Sequence, residues 1–278
     1  MKKLDLFFAV AALVFPLAAT AQAVSADTAE VVKGVTAHRG NSVQFPENTL
    51  PAFQSGIDVH ADWVELDIRK TKDGQIVISH DADTKRTTGV ELTIPDATYE
   101  QLQQLDVAAE FRKHKELTLQ QCPVQRMPLL KDALALFMKQ NRTHVSMHLK
   151  VDCVADAIAI IKQAGAENIT GFNDSGLNYV ALAKKLAPEI PIFWDRLPNT
   201  NIDDDIRVTK EKGFETIVMH YSAVTAENVN KIKAANLQAG AWTVDDRATL
   251  EKMLQLGIQR IYTDDPKLLI TIKRELKK

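Results

Sequence analysis

Two acidic residues stand in an otherwise apolar stretch, where Glu65 and Asp67 alternate with Val64, Leu66 and Ile68. In a β-strand, residues two apart project to the same side, so both carboxylates would face one way and the apolar side chains the other. Neighbouring carboxylates repel each other unless a cation lies between them, and oxygen ligands suit Ca²⁺, Mg²⁺ or Mn²⁺. The spacing predicts a divalent metal site; the alternative is a solvated strand face paired with lysines.

Histidines and basic residues follow other apolar runs. His38 and Arg39 come directly after an early run, His80 follows a later one, and His148 and Lys150 repeat the two-apart spacing. Imidazole exchanges protons near neutral pH, and arginine and lysine neutralise phosphate oxygens. With a bound cation, for which His148 is a further candidate ligand, this set fits phosphoryl transfer. One histidine would remove a proton from the nucleophile and the other would protonate the leaving oxygen.

Short β-branched runs alternate with longer amphipathic stretches in about eight units, with no Pro/Gly-rich linker between them. This alternation implies parallel strands covered by helices. We predict an α/β fold, a single (β/α)₈ barrel. The alternative is a doubly wound open sheet, which the lack of a Gly-rich fingerprint after the first strand disfavours. The predicted strands cover residues 34–37, 63–68, 75–79, 144–149, 169–172, 190–193, 216–219, 238–241 and 260–262.

Residues 83–128 interrupt this rhythm with polar and turn residues. We interpret the segment as an insertion after the second βα unit. Because the connections that follow barrel strands build the active face of such folds, we expect the insertion to shape access of the substrate.

The first 23 residues have the pattern of a cleaved secretory signal. A basic start, Met1-Lys2-Lys3, precedes an apolar stretch over residues 6–19 and the small–x–small sequence Ala21-Gln22-Ala23. The apolar stretch is shorter than the about 20 residues that span a bilayer. We expect removal of residues 1–23 and export of residues 24–278 as one soluble domain, in the periplasm; the alternative is an uncleaved N-terminal anchor.

The 278-residue chain is 45% hydrophobic and has a net charge of −2. This balance argues against a general binder of nucleic acid or of anionic membranes, and no stretch after the signal is long and apolar enough to cross a membrane. Its two cysteines are Cys122 and Cys153. An oxidising compartment allows them to pair, so we predict a disulfide; the alternative is two separate buried thiols.

Several short motifs occur in order along the chain: His38-Arg39-Gly40, Pro46-Glu47-Asn48-Thr49, Glu65-Leu66-Asp67, Asp73-Gly74, His80-Asp81, Arg86-Thr87-Thr88-Gly89, Pro128-Leu129-Leu130, Lys150, Trp242-Thr243-Val244 and Thr263-Asp264-Asp265-Pro266. Their ordered combination resembles the glycerophosphodiester phosphodiesterases and covers nearly all of residues 24–278. The resemblance implies a TIM barrel with a divalent cation, usually Ca²⁺ or Mg²⁺. It also implies hydrolysis of a small-molecule glycerophosphodiester to glycerol 3-phosphate and an alcohol.

The resemblance also implies roles for single residues. It assigns acid and base catalysis to His38 and His80, and metal ligation to Glu65 and Asp67. It assigns phosphate contacts to Arg39 and Lys150. Glu47 would be a site carboxylate that orients His38, Arg39 or a glycerol hydroxyl, and Trp242 would be an aromatic wall of the pocket.

One position departs from the family pattern. The family commonly has a glutamate ligand two residues before the lysine, where this chain has His148. We expect His148 to remain a ligand. A neutral imidazole makes the site less negative, which favours Mn²⁺, Co²⁺ or Zn²⁺ relative to hard Ca²⁺ and Mg²⁺.

Two other functions remain open from the sequence. The same site could serve a phospholipase that acts on lysophospholipid or sphingomyelin-type head groups, because the fold and the site define the bond type better than the group beyond the phosphate. A non-catalytic binding protein for phosphorylated solutes is the third candidate, although both histidines are present. The sequence leaves the oligomeric state and the alcohol group open.

Overall fold

Parallel strands close into a barrel in the computed structural model, which describes residues 33–276. The strands among these residues are β1 (Val35–Ala37), β2 (Trp63–Lys70), β3 (Ile76–Ile78), β4 (His144–Leu149), β5 (Thr170–Asp174), β6 (Ile192–Arg196), β7 (Thr216–His220), β8 (Gln238–Trp242) and β9 (Arg260–Thr263). All except β3 pair in parallel with both neighbours, and β1 pairs with β2 as well as β9, which closes the sheet. The predicted TIM barrel is confirmed.

Helices connect the barrel strands and cover the outside of the barrel. The described helices are α1 (Leu50–Asp58), α2 (Lys85–Thr88), α3 (Tyr99–Leu102), α4 (Ala109–His114), α5 (Leu130–Phe137), α6 (Val154–Ala164), α7 (Leu177–Leu186), α8 (Ile202–Lys212), α9 (Ala226–Ala234), α10 (Arg247–Gln255) and α11 (Pro266–Glu275). Polar side chains define several helix starts: Thr225, Asp246 and Asp265 each accept a backbone N–H in the first turn of α9, α10 and α11.

The main core lies between the barrel and the helices. Val64, Leu66 and Ile68 point outward from β2, and Leu134 and Phe137 of α5 are buried in the same apolar cluster. This outward packing leaves the alternate residues of β2, including the two carboxylates, to face the barrel interior.

Aromatic side chains and the guanidinium group of Arg260 pack together in the barrel interior. Trp63 and Phe193 pack edge to face at 4.9 Å, and the Arg260 guanidinium lies 4.5 Å and 3.7 Å from their ring centres. Gly171 is needed beside these rings, because a Cβ there would come within 2.6 Å of Phe193. The barrel interior is therefore filled by packed side chains at this level.

The third predicted strand does not belong to the barrel. β3 pairs antiparallel with the end of β2, Ile68 to Lys70. Residues 71–75 alone join the two strands, and a connection this short permits only an antiparallel pair, because a parallel crossover needs a dozen or more residues.

The insertion expected at residues 83–128 lies in the connection between β2 and α5. It contains α2, α3 and α4 and has a small apolar core of its own. That core consists of Val77, Ile94, Ala97, Leu102, Val107, Met127 and Leu129. Because Val77 of β3 belongs to this core while Ile76 and Ile78 belong to the main one, β3 joins the insertion to the barrel.

The expected disulfide is not formed, since Cys122 and Cys153 are both buried free thiols. Cys153 immediately precedes α6 and packs in the main core. Cys122 lies in the insertion, where its carbonyl oxygen accepts a 2.7 Å hydrogen bond from Arg112. The two thiols are thus packed in different parts of the molecule, and this agrees with the alternative of separate thiols.

The predicted signal peptide, residues 1–23, lies outside the described residues. Within residues 33–276, no helix has the length and apolar character required to cross a membrane.

Candidate active site

A cavity of about 250 Å³ opens where the barrel strands end. In this fold the loops after the strands form the catalytic face. Most of the predicted site residues line the cavity: His38, Arg39, Glu65, His80, His148, Lys150 and Trp242. The other two are in contact with these residues, Asp67 with Arg39 and Lys150, and Glu47 with Arg39. The barrel thus gathers side chains that are more than 200 positions apart in the sequence.

The two predicted metal-binding carboxylates are fully buried and held in fixed orientations. Glu65 Oε2 accepts a 3.0 Å hydrogen bond from the backbone N–H of Arg39. Asn48 donates to Asp67 Oδ2 at 2.7 Å and accepts from the Asp67 backbone N–H at 3.2 Å. Glu65 Oε1 is buried and has no hydrogen-bond donor among residues 33–276. This oxygen therefore faces the site without a hydrogen bond from the part of the chain that the structure describes.

Glu65, Asp67 and His148 are positioned to share one cation. A ligand atom from each lies within 4.8 Å of the others. His148 Nδ1 is 3.8 Å from Glu65 Oε1 and 3.6 Å from Asp67 Oδ1. This geometry follows from the register of the sheet, in which Asp67 on β2 lies opposite His148 on β4. Two carboxylates and one imidazole form a donor set suited to a divalent metal, and the unpartnered oxygen of Glu65 fits such a ligand.

Burial and neighbouring charges separate the acidities of these groups. Burial, together with the nearby Asp67, raises the pKa of Glu65. Burial alone would raise the pKa of Asp67, but Lys150, followed by His148 and Arg39, lowers it well below its usual range. Lys150 Nζ lies 3.1 Å from Asp67 Oδ1. Burial and Lys150 lower the pKa of His148 to about 3, so its ring is neutral and able to bind a cation.

His38 is held by a carboxylate from the opposite end of the chain. Its Nδ1 lies 2.7 Å from Asp264 Oδ1, and its Nε2 lies 4.0 Å from Glu65 Oε2. β1 and β9 are neighbours in the closed barrel, so the residues just after them meet. Burial alone would lower the pKa of His38, but the hydrogen bond to Asp264 and the charge of Glu65 raise it.

His80 has a similar arrangement at the other side of the cavity. Its Nδ1 lies 2.7 Å from Asp81 Oδ1. Arg69, near the end of β2, donates two hydrogen bonds to the His80 carbonyl oxygen, at 2.7 Å and 3.0 Å. Burial lowers the pKa of His80. In both histidines, Nδ1 is engaged and Nε2 remains as the nitrogen that can exchange a proton with a bound molecule.

Arg39 belongs to a network that reaches into the insertion. Its Nη1 donates to Glu47 Oε1 at 3.0 Å. Of the two side chains that Glu47 was expected to orient, His38 and Arg39, it therefore contacts Arg39. Arg86 of α2 donates to both oxygens of Glu47, at 2.8 Å and 2.7 Å, and to Asp81 Oδ2 at 2.5 Å. The insertion is therefore connected to Arg39 and, through Asp81, to His80.

Further residues that sequence reasoning missed lie at the other strand ends. Asn173 and Asp195 line the cavity, and Asn173 Nδ2 donates to Asp195 Oδ2 at 3.2 Å. Burial raises the pKa of Asp195 to about 7. Trp242 forms an aromatic wall, and His220 packs edge to face against it at 5.1 Å. A polar residue that directly follows an apolar strand is the signal that would have identified Asn173.

Residues 38–268 match the Glycerophosphoryl diester phosphodiesterase family. A glycerophosphodiester phosphodiesterase from Caldanaerobacter subterraneus subsp. tengcongensis is 30% identical over 250 residues, which cover 87% of this chain and 98% of that protein. A lysophospholipase D from Rattus norvegicus is 32% identical over 164 residues, which cover 56% of this chain and 50% of that protein.

A solved structure shows the same architecture. It is an Oleispira antarctica phosphodiesterase in complex with the product sn-glycerol-3-phosphate, which aligns with a TM-score of 0.76 and 26% identity over 87% of this chain and 96% of that one. The family match begins directly after the first barrel strand and ends in the last helix. The chain therefore belongs to the glycerophosphoryl diester phosphodiesterase family.

Proposed function

We propose that this protein is a secreted, metal-dependent phosphodiesterase that hydrolyses glycerophosphodiesters to glycerol 3-phosphate and an alcohol. One observation carries the proposal. His38 and His80, each held at Nδ1 by a carboxylate, line one cavity together with the cluster of Glu65, Asp67 and His148. Family membership and the product in the Oleispira antarctica relative support the substrate class.

Arg39 and Lys150 bind the phosphate of the substrate. Their positive charges offset the charge that develops on the phosphate oxygens in the transition state. A cation held by Glu65, Asp67 and His148 would add positive charge at the same oxygens. Arg39 donates a hydrogen bond to Glu47, and its Nε lies 3.5 Å from Asp67 Oδ2. These two contacts orient Arg39 before the substrate binds.

The two histidines move the protons. One takes the proton of the glycerol 2-hydroxyl, whose oxygen forms a bond to phosphorus while the other histidine protonates the departing alcohol oxygen. Water then opens the resulting cyclic phosphate, with the proton transfers reversed, and glycerol 3-phosphate is released. Asp264 and Asp81 fix the ring orientation of His38 and His80 through Nδ1.

Release of glycerol 3-phosphate from glycerophosphocholine in a coupled assay tests the activity. We expect turnover with added Ca²⁺, Mg²⁺, Mn²⁺, Co²⁺ or Zn²⁺, and its loss with chelator. Tight binding without turnover would instead identify a binding protein, and an absence of release from every head group with every metal would refute the proposal.

A lysophospholipase D activity is the second candidate, because a mammalian lysophospholipase D is among the relatives. Trp242 and the exposed Leu197 form an apolar part of the cavity wall that suits a substrate with an acyl chain. Parallel assays with glycerophosphocholine and lysophosphatidylcholine separate the two activities. A higher kcat/KM for lysophosphatidylcholine would favour the second.

Secretion rests on the pattern of residues 1–23. N-terminal sequencing of the protein recovered from the periplasm tests it. We expect a start at Val24. An intact Met1 in the membrane fraction would indicate an uncleaved anchor.

A further inference from the structure

A second carboxylate lies behind His148, the residue that departs from the family pattern. Resting on the metal dependence proposed above, we propose that Asp174 is a positioning residue: it accepts a hydrogen bond from the Nε2–H of His148 and so directs Nδ1 toward the cation held by Glu65 and Asp67. Asp174 is the last residue of β5, which lies beside β4 in the barrel.

The contacts of the His148 ring define which nitrogen faces the metal cluster. Nδ1 lies 3.8 Å from Glu65 Oε1 and 3.6 Å from Asp67 Oδ1. Lys150 Nζ lies beside the ring, 3.0 Å from Nδ1 and 3.5 Å from Nε2. A cation held by Glu65 and Asp67 would therefore bind the lone pair of Nδ1, and the ring proton would then be on Nε2.

Asp174 lies on the opposite side of the ring. Its Oδ2 is 3.9 Å from His148 Nε2. The proposed hydrogen bond requires the two atoms to approach by about 1 Å when the cation binds. The carboxylate itself is held in place, because its Oδ1 accepts a 2.6 Å hydrogen bond from the backbone N–H of Gly176 and its side chain is only 8% exposed.

This arrangement compensates for a ligand that carries no charge. A metal-bound histidine commonly donates its other N–H to a carboxylate, which defines the tautomer, orients the ring and makes the ligating nitrogen more basic. Asp174 also returns one negative charge to the neighbourhood of the site. Since Asp174 lies outside the group of three whose ligand atoms converge, it acts through His148 rather than on the cation.

Metal affinity in a double-mutant cycle tests the inference. The four proteins are the unmodified chain, Asp174→Asn, His148→Glu and the double variant, each stripped with EDTA and titrated with Co²⁺ by calorimetry. Asparagine keeps the acceptor for Gly176 but loses the charge. We expect Asp174→Asn to weaken Co²⁺ binding about 10-fold or more when His148 is present. In the His148→Glu background it should leave affinity unchanged or strengthen it, because Asp174 then faces a like charge.

A merely structural role would give the same loss in both backgrounds, and that result would overturn the inference. So would unchanged affinity in Asp174→Asn, or an unmodified protein that binds no Co²⁺. Thermal unfolding of each metal-free variant verifies its fold, and Asp174→Ser replaces Asp174→Asn if the latter does not fold. Glycerol 3-phosphate release is measured separately. If Asp174→Asn weakens Co²⁺ binding only when His148 is present, but the unmodified protein releases no glycerol 3-phosphate, the proposed activity is refuted and the role of Asp174 stands.

Discussion

At the scale of single residues, His38 and His80 make the same contact with an aspartate, but their pKa values are shifted in opposite directions. Each has Nδ1 at 2.7 Å from an aspartate. Burial opposes protonation of both, but the hydrogen bond to Asp264 and the charge of Glu65 raise the pKa of His38, whereas the pKa of His80 is lowered. Environments that separate two pKa values are typical of acid and base pairs.

Replacing His80 with alanine should lower the turnover number about 100-fold or more, because one proton transfer loses its side chain. Metal affinity should persist, since His80 is not among the converging ligands. Glycerol 3-phosphate release and metal titration measure the two effects. The matched control is His60→Asn, an exposed histidine with φ of 65° that asparagine accommodates. Normal turnover of His80→Ala would exclude its role.

Replacing Asp81 with asparagine should lower the pKa of His80 still further. The Asp81 carboxylate stabilises the protonated ring and therefore raises that pKa, so its removal shifts the titration of His80 to lower pH. NMR titration of the ring protons measures the shift. Asp83→Asn, which changes a nearby carboxylate that caps Lys85 instead, should leave the titration in place. An upward shift in Asp81→Asn would contradict the assignment.

The residues of the site were predictable to different degrees. Glu65 and Asp67 follow from a period of two within an apolar run, which is local information. The pairing of His38 with Asp264 is not local, because the two residues are 226 positions apart and meet only when β9 closes the barrel on β1. The Cys122–Cys153 prediction was wrong because an oxidising compartment permits a disulfide but does not bring two thiols together: Cys153 packs in the main core and Cys122 lies in the insertion.

At the scale of elements, the strands extend further than their apolar runs. β5, β6 and β7 end at Asp174, Arg196 and His220, beyond the predicted ends at residues 172, 193 and 219. Hydrophobicity defines the part of a strand that packs against helices, but the residues at these strand ends are polar and have the composition of a loop. Asp174 and Asp195 were missed for this reason.

Arg86 links the insertion to Arg39 through Glu47 and to His80 through Asp81. Arg86→Ala should leave Glu47 and Asp81 without their shared partner and lower kcat about 10-fold or more through misplacement of Arg39 and His80. Arg86→Lys should be intermediate, because lysine lacks the planar fork that binds two carboxylates.

The matched control for Arg86 is Arg207→Ala on α8. Arg207 is similarly exposed and also pairs with two carboxylates, Asp204 and Glu211, but it lies away from the cavity, so steady-state kinetics should be unchanged. Equal kinetics for Arg86→Ala and the unmodified protein would show that the link has no catalytic role.

At the scale of the whole molecule, metal binding should be coupled to stability. A ligand that binds only the folded state stabilises it, and Glu65 beside Asp67 in a buried site is unfavourable without a cation. Glu65→Gln should therefore lower metal affinity about 10-fold or more, yet unfold at the same or a higher temperature when metal-free. Calorimetry with EDTA and with Mn²⁺ measures both. A metal-free Glu65→Gln that unfolds at a lower temperature would contradict this account.

The insertion has an apolar core that is separate from the core of the barrel. The strand register of the barrel sets the distances among Glu65, Asp67 and His148. The insertion packs around Leu102, Met127 and their neighbours, so mutations on its outer surface need not disturb that register. We therefore expect substitutions on the outer surface of the insertion to leave the spacing of Glu65, Asp67 and His148 unchanged.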